Sequence, residues 1–142
     1  MTIKAGTLVN PTDYLRDLVV ASSNVAGITT TETVTDTLVA TLVAGLRYKV
    51  TLDCAYLSTV AADVVLPRIR EDNVAGAILQ GYRTCPLNPA NAAVGFHIEA
   101  YYTATVSGSK TFVGTCIRSA GTGSITRFAS GTLPANFAIE TW

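Results

Sequence analysis

With 142 residues, 14% of them charged, and a formal net charge of zero, the chain is long enough to bury its own core. It is too poor in clustered lysine and arginine to grip a phosphate backbone, which excludes nucleic acid as a partner. No uncharged stretch approaches the eighteen or more apolar residues of a membrane helix, and no apolar run of signal-peptide length precedes Asn10-Pro11, so we read a chain made and folded in a cytoplasm. An average globular protein carries about 25% charged residues; the shortfall leaves apolar surface for partners to cover, and a homo-oligomer is expected.

The first element has helix signals. Asn10-Pro11-Thr12-Asp13 supplies a cap, a first-turn proline and an acid, and Tyr14, Leu15, Leu18 and Val19 recur at helical spacing. The expectation is a short N-terminal helix or arm, either plugging the open end of a sandwich or docked on a neighbouring subunit. Residues 1–28 are set apart on this reading from a β-sandwich domain over 29–142.

From Thr29 onward, threonine, valine, alanine and glycine favour pleated structure. Thr33 to Val43 fits a helix through Val34, Leu38 and Leu42, but its threonines decide for a strand. Arg47 to Tyr56 alternates strictly, with Tyr48, Val50, Leu52, Cys54 and Tyr56 on one side and Arg47, Lys49, Thr51 and Asp53 on the other. Val64 to Glu71 carries Pro67, which cannot donate to a ladder, so this strand is expected at a sheet edge or bulged there. Ala77 to Thr84 comes next, with Cys85 beyond it in a loop. Gly95 to Val106 repeats the alternation, and Ser107-Gly108-Ser109 is short enough to join it to Lys110 to Arg118 as a β-hairpin. Ile125 to Ala129 and Phe137 to Trp142 complete the set. Seven to nine short strands separated by turn residues predict an all-β fold, an antiparallel β-sandwich or jelly roll.

Little in the chain points to catalysis. Cys54, Cys85 and Cys116 are about thirty residues apart, unlike paired metal ligands, and read as free thiols. His97 and Glu99 share a strand face, yet neighbours at i and i+2 stand about 6 to 7 Å apart, too far for a direct hydrogen bond unless the side chains bend together. Gly108-Ser109-Lys110-Thr111 lacks the first glycine of a phosphate loop, and Gly121-Thr122-Gly123 reads as a turn. No cofactor, metal or catalytic set is therefore expected, and the chain is read as a non-enzyme. Arg68 and Arg70 share one face of the Pro67 strand, either to bind a partner's carboxylates or to defend a sheet edge. Trp142 either closes the sandwich end or lies between subunits. Pro11, Tyr14, Leu15, Arg68, Arg70 and Trp142 are the expected partner-interface residues.

Four stretches carry a resemblance. They are Gly45-Leu46-Arg47-Tyr48-Lys49-Val50, Val64-Val65-Leu66-Pro67-Arg68-Ile69-Arg70-Glu71-Asp72, and the later Ile98-Glu99-Ala100-Tyr101-Tyr102 with Phe137-Ala138-Ile139-Glu140. Together they resemble the strand pattern of small β-sandwich virion proteins of tailed bacteriophages. The resemblance implies a head decoration or minor capsid protein, a homo-oligomer and trimer in that group's manner, seated on the major capsid protein at the virion surface. A tail-tip or fibre module that binds a receptor or glycan through Asn88, Asn91 and Tyr101 is the alternative.

Overall fold

The computed structural model describes residues 16–81 and 84–142, and within them the fold is an antiparallel β-sandwich. Eleven strands are described: β1 (Arg16–Ala21), β2 (Val25–Ile28), β3 (Thr33–Leu42), β4 (Arg47–Ser58), β5 (Asp63–Glu71), β6 (Ile78–Gly81), β7 (Cys85–Leu87), β8 (Val94–Thr103), β9 (Gly108–Ala120), β10 (Ile125–Phe128) and β11 (Ala135–Thr141).

β4 organises the six-stranded sheet. Along one flank it pairs with β8 from Arg47↔Thr103 to Tyr56↔Val94. Along the other it pairs first with β11 and then with β10, which lie end to end and carry β1 and β2 on their outer sides. The five-stranded sheet is built on β9, flanked by β3 and β5, with β6 and β7 sharing the far side of β5. The alternation of β4 explains the core: Tyr48, Val50, Leu52, Cys54 and Tyr56 point between the sheets with Phe96, Ile98, Phe137 and Ile139, and meet Leu38, Ile69, Phe112 and Cys116 from the other side. Each large side chain so buried contributes roughly 1.5–3 kcal/mol.

Several expectations are corrected. Leu18 and Val19 lie in β1, paired to Ala138 and Phe137, so the helical spacing does not continue through them; sheet pairing overrides a weak local preference. Pro11, Tyr14 and Leu15 lie outside the described residues. Residues 16–28, read as part of an arm, supply two strands of the larger sheet. The expected hairpin does not form, because β8 joins β4 in one sheet and β9 joins β3 and β5 in the other. Residues 104–107 instead cross between sheets and bond to the crossing at 43–46: Gly45 N–H donates to the Ala104 carbonyl at 2.8 Å and Ala104 N–H to Leu46 at 3.0 Å. Crossing lets both strands turn an apolar row toward the one core, satisfying the connector's backbone at the same time.

Nor is the Pro67 strand an edge. β5 lies between β9 and the pair β6 and β7; its second partner is interrupted at residues 66–67, between Val65↔Cys85 and Arg68↔Gly81. Proline is tolerated at that gap in the ladder. Cys85 begins a short strand, not a loop.

Candidate functional site

The outward residues of the six-stranded sheet form a grid fixed by register. His97, Asp53 and Asn136 make one row across β8, β4 and β11; Glu99, Thr51 and Ala138 the next; Tyr101, Lys49 and Glu140 a third. Leu18 of β1 extends the middle row beside Ala138. Thr51 and Ala138 are short, and their row sinks between longer neighbours into a depression of about 360 Å³. A second depression of about 580 Å³ shares Asp53, His97 and Asn136 with it and continues toward Gly95 and Leu133.

Ion pairs tie this grid together. His97 Nδ1 lies 2.5 Å from Asp53 Oδ1 and its Nε2 3.4 Å from Glu99 Oε1. Lys49 Nζ lies 2.7 Å from Glu140 and 3.7 Å from Glu99. The hydrogen bond to Asp53 raises the His97 pKa above its ordinary value, partial burial opposes it, and Glu99 adds to the rise. Lys49 is likewise raised, chiefly by its hydrogen bond to Glu140. Because carboxylates occupy both ring nitrogens of His97, neither is left to activate a nucleophile. The side chains of His97 and Glu99 do reach each other, which the strand spacing argued against.

At one end of the grid the strand end at Trp142 is held by its N–H donating to the Arg47 carbonyl at 2.9 Å. The Trp142 and Tyr101 rings meet edge to face, centroids 5.1 Å apart at 67°. Lys49 Nζ lies 5.4 Å from the Trp142 ring centre and the Arg47 guanidinium carbon 4.7 Å from that of Tyr101. Trp142 remains 65% exposed and Tyr101 40%. The tryptophan therefore lies on the sheet's outer face and not over the sandwich's open end.

Arg68 and Arg70 lie on the outer face of the opposite sheet, so the fold does not bring them to Trp142. Both reach Glu32: Arg68 Nη1 at 2.6 Å, Arg70 Nε at 2.7 Å and Nη2 at 2.8 Å, with the Thr115 hydroxyl donating at 2.5 Å. Burial pushes the Glu32 carboxyl upward, but these hydrogen bonds and the two guanidinium charges outweigh it and hold it below its ordinary value. Their carboxylate partner is thus inside the chain, and the edge-defence reading fails because β5 is no edge. Among the described residues, no group of three or more histidine, cysteine or acidic side chains is placed to hold a metal ion. Lys49, Asp53 and Glu140 were not singled out from sequence. Alternation put Lys49 and Asp53 on a polar face, but only register shows that Glu140 and His97 adjoin them.

No family model and no curated protein matches the chain. Among solved structures, the particle of infectious bursal disease virus described as T13 aligns over 90% of this chain and 35% of its own, with 10% identity and a TM-score of 0.51. The VP2 subviral particle of the same virus aligns over 99% of this chain and 40% of its own, at 9% identity and a TM-score of 0.49. A carbohydrate-binding module described as CBM4 aligns over 96% of this chain and 89% of its own at 10% identity and a TM-score of 0.38. Only the first carries weight, and what it shows is the fold; the chain spans 35–40% of the length of these viral capsid proteins.

Proposed function

We propose that this protein is a non-enzymatic structural subunit of a virion. The observation that carries the reading is the sandwich shared with an icosahedral virus particle over 90% of the chain. The finer reading is a decoration protein on the head of a tailed bacteriophage, a homotrimer resting on the major capsid protein, as the strand pattern around Gly45–Val50 and Val64–Asp72 implies.

The exposed apolar residues support a subunit role. Leu18 and Val20 of β1 are 48% and 55% exposed, and Val39 of β3 is 56% exposed. β1 is an edge strand of the six-stranded sheet and β3 an edge strand of the five-stranded one. Apolar edges with open backbone groups call for a cover, which neighbouring subunits of an assembly provide. Pro11, Tyr14 and Leu15, just before β1, are assigned on this proposal to the arm that reaches a neighbour.

The test is mass spectrometry and image reconstruction of purified particles from the virus that encodes the chain. The expected result is a fixed copy ratio to the major capsid protein and density on the outer shell. Absence from the particles refutes the subunit reading, and density at the tail alone refutes the decoration reading.

A further inference from the structure

We propose that the outer face of the six-stranded sheet binds a neutral oligosaccharide, along the groove that runs from Lys49 and Glu99 to the Asp53–His97 pair, with the Tyr101–Trp142 ring pair adjoining its Lys49 end. This goes beyond the virion reading and does not rest on it.

Shape is the first argument. The two depressions share Asp53, His97 and Asn136, so they form one continuous groove. Gly95 and Tyr101 stand six residues apart on β8, roughly 20 Å at about 3.3 Å per residue, room for several sugar rings in line.

Chemistry is the second. Trp142 and Tyr101 offer exposed aromatic surface to the C–H faces of a sugar ring, while their polar neighbours take its hydroxyls. Carboxylates at Asp53, Glu99 and Glu140 accept, Lys49 donates, and the Asn136 amide and Thr51 hydroxyl do both. A hydroxyl, donor and acceptor at once, is the group such a mixed set suits.

Charge narrows the class. Within the groove three carboxylates outnumber Lys49 and His97, and both cations are already paired to them, so the lining disfavours a sulfate, a phosphate or an acidic sugar; the Arg47 guanidinium lies outside it, against Tyr101. An extended peptide is disfavoured too. The groove's centre lies over β4 and β11, each paired on both flanks, so strand addition is confined to the open outer flanks of β8 and β1 at its borders and does not reach the floor at Thr51 and Ala138.

The full chain is tested on an array of neutral and acidic oligosaccharides, then by calorimetry against the strongest neutral spot, with maltohexaose and cellohexaose as fixed probes. The expected result is binding to neutral glycans that weakens at least tenfold in Trp142→Ala and in Tyr101→Ala. Thr51→Arg, which fills the groove from an outward position, abolishes it; circular dichroism confirms that each variant is folded, and Thr51→Arg decides if an aromatic variant is not. A silent array, unchanged affinity in Thr51→Arg, preference for sulfated or sialylated glycans, or a peptide ligand lost on Thr51→Arg in place of a glycan overturns the proposal.

Discussion

Arg127 of β10 and Asp36 of β3 meet across the two sheets at 3.1 Å, each with 3% of its side chain exposed. The guanidinium also donates to the Ser23 and Thr35 carbonyls at 2.9 and 3.1 Å, while Asp36 Oδ2 and Arg127 Nε have no hydrogen-bond partner. Burial raises the Asp36 carboxyl and the arginine opposes it. A buried pair adds little net stability over apolar replacements, but removing one member strands a charge at a cost of about 3–5 kcal/mol. Arg127→Met is therefore expected to lower the free energy of chemical unfolding by that amount, and Arg127→Met with Asp36→Leu to recover most of it. Equal loss in the single and double variants refutes this account.

Gly121 turns around a carboxylate. Its φ is +96°, and a Cβ added there collides with Asp63. Asp63 is buried, accepting the Ser58 hydroxyl at 2.5 Å and the Thr122 N–H at 2.9 Å. Gly121→Ala combines an unfavourable backbone with a clash and is expected to cost more than about 2 kcal/mol. A shift in the denaturation midpoint no larger than that of Gly131→Ala, where a Cβ meets nothing within 4 Å, contradicts it.

His97 couples stability to pH. Its native pKa is raised above 6.5, mainly by the Asp53 hydrogen bond and then by Glu99, with Lys49 and Glu140 facing the same groove. Protonation thus favours the folded state: the contribution is complete below about pH 6.5 and disappears as pH rises through the higher native value. Both side chains of the pair are half exposed or more, so the effect stays under about 1 kcal/mol. Unfolding free energy measured across this range is expected to fall more steeply with pH in the parent than in His97→Gln. Identical slopes rule out the coupling.

The thiols divide by burial. Desolvation pushes Cys54 and Cys116 up to about 12, and both are buried while Cys85 is not. Near pH 8, a thiol reagent is expected to modify Cys85 rapidly and the other two only on unfolding. Rapid labelling of Cys54 or Cys116 in the native protein refutes the packing described.

Val20→Lys tests the apolar edge. If β1 is a subunit contact, the charge lowers the sedimentation coefficient without moving the unfolding midpoint by more than about 0.5 kcal/mol in stability. An unchanged assembly removes β1 from the interface.

Much of the fold was legible because β-strands declare themselves by alternation: Tyr48 to Tyr56 and Phe96 to Tyr102 are inward rows in the structure as in the sequence. Of the candidate site, the polar faces were legible and their adjacency was not. His97 and Glu99 stand close in the chain, but Asp53 and Lys49 join them only through pairing at a separation of some fifty residues in sequence.

By itself, then, the sequence determined the long strands from residue 33 onward, their buried and exposed faces and the reliance on a sandwich core, since period-two alternation is a local property of each segment, whereas the short strands β1, β2 and β7 carried too little of it to be read. Tertiary structure alone decided that β8 and β9 part company, that Glu32 claims both arginines, and that five charged or ionisable groups line one groove with a tryptophan and a tyrosine paired beside its Lys49 end. Partner choice among strands depends on which arrangement closes a common core around all the apolar rows at once, and that is a property of the whole chain.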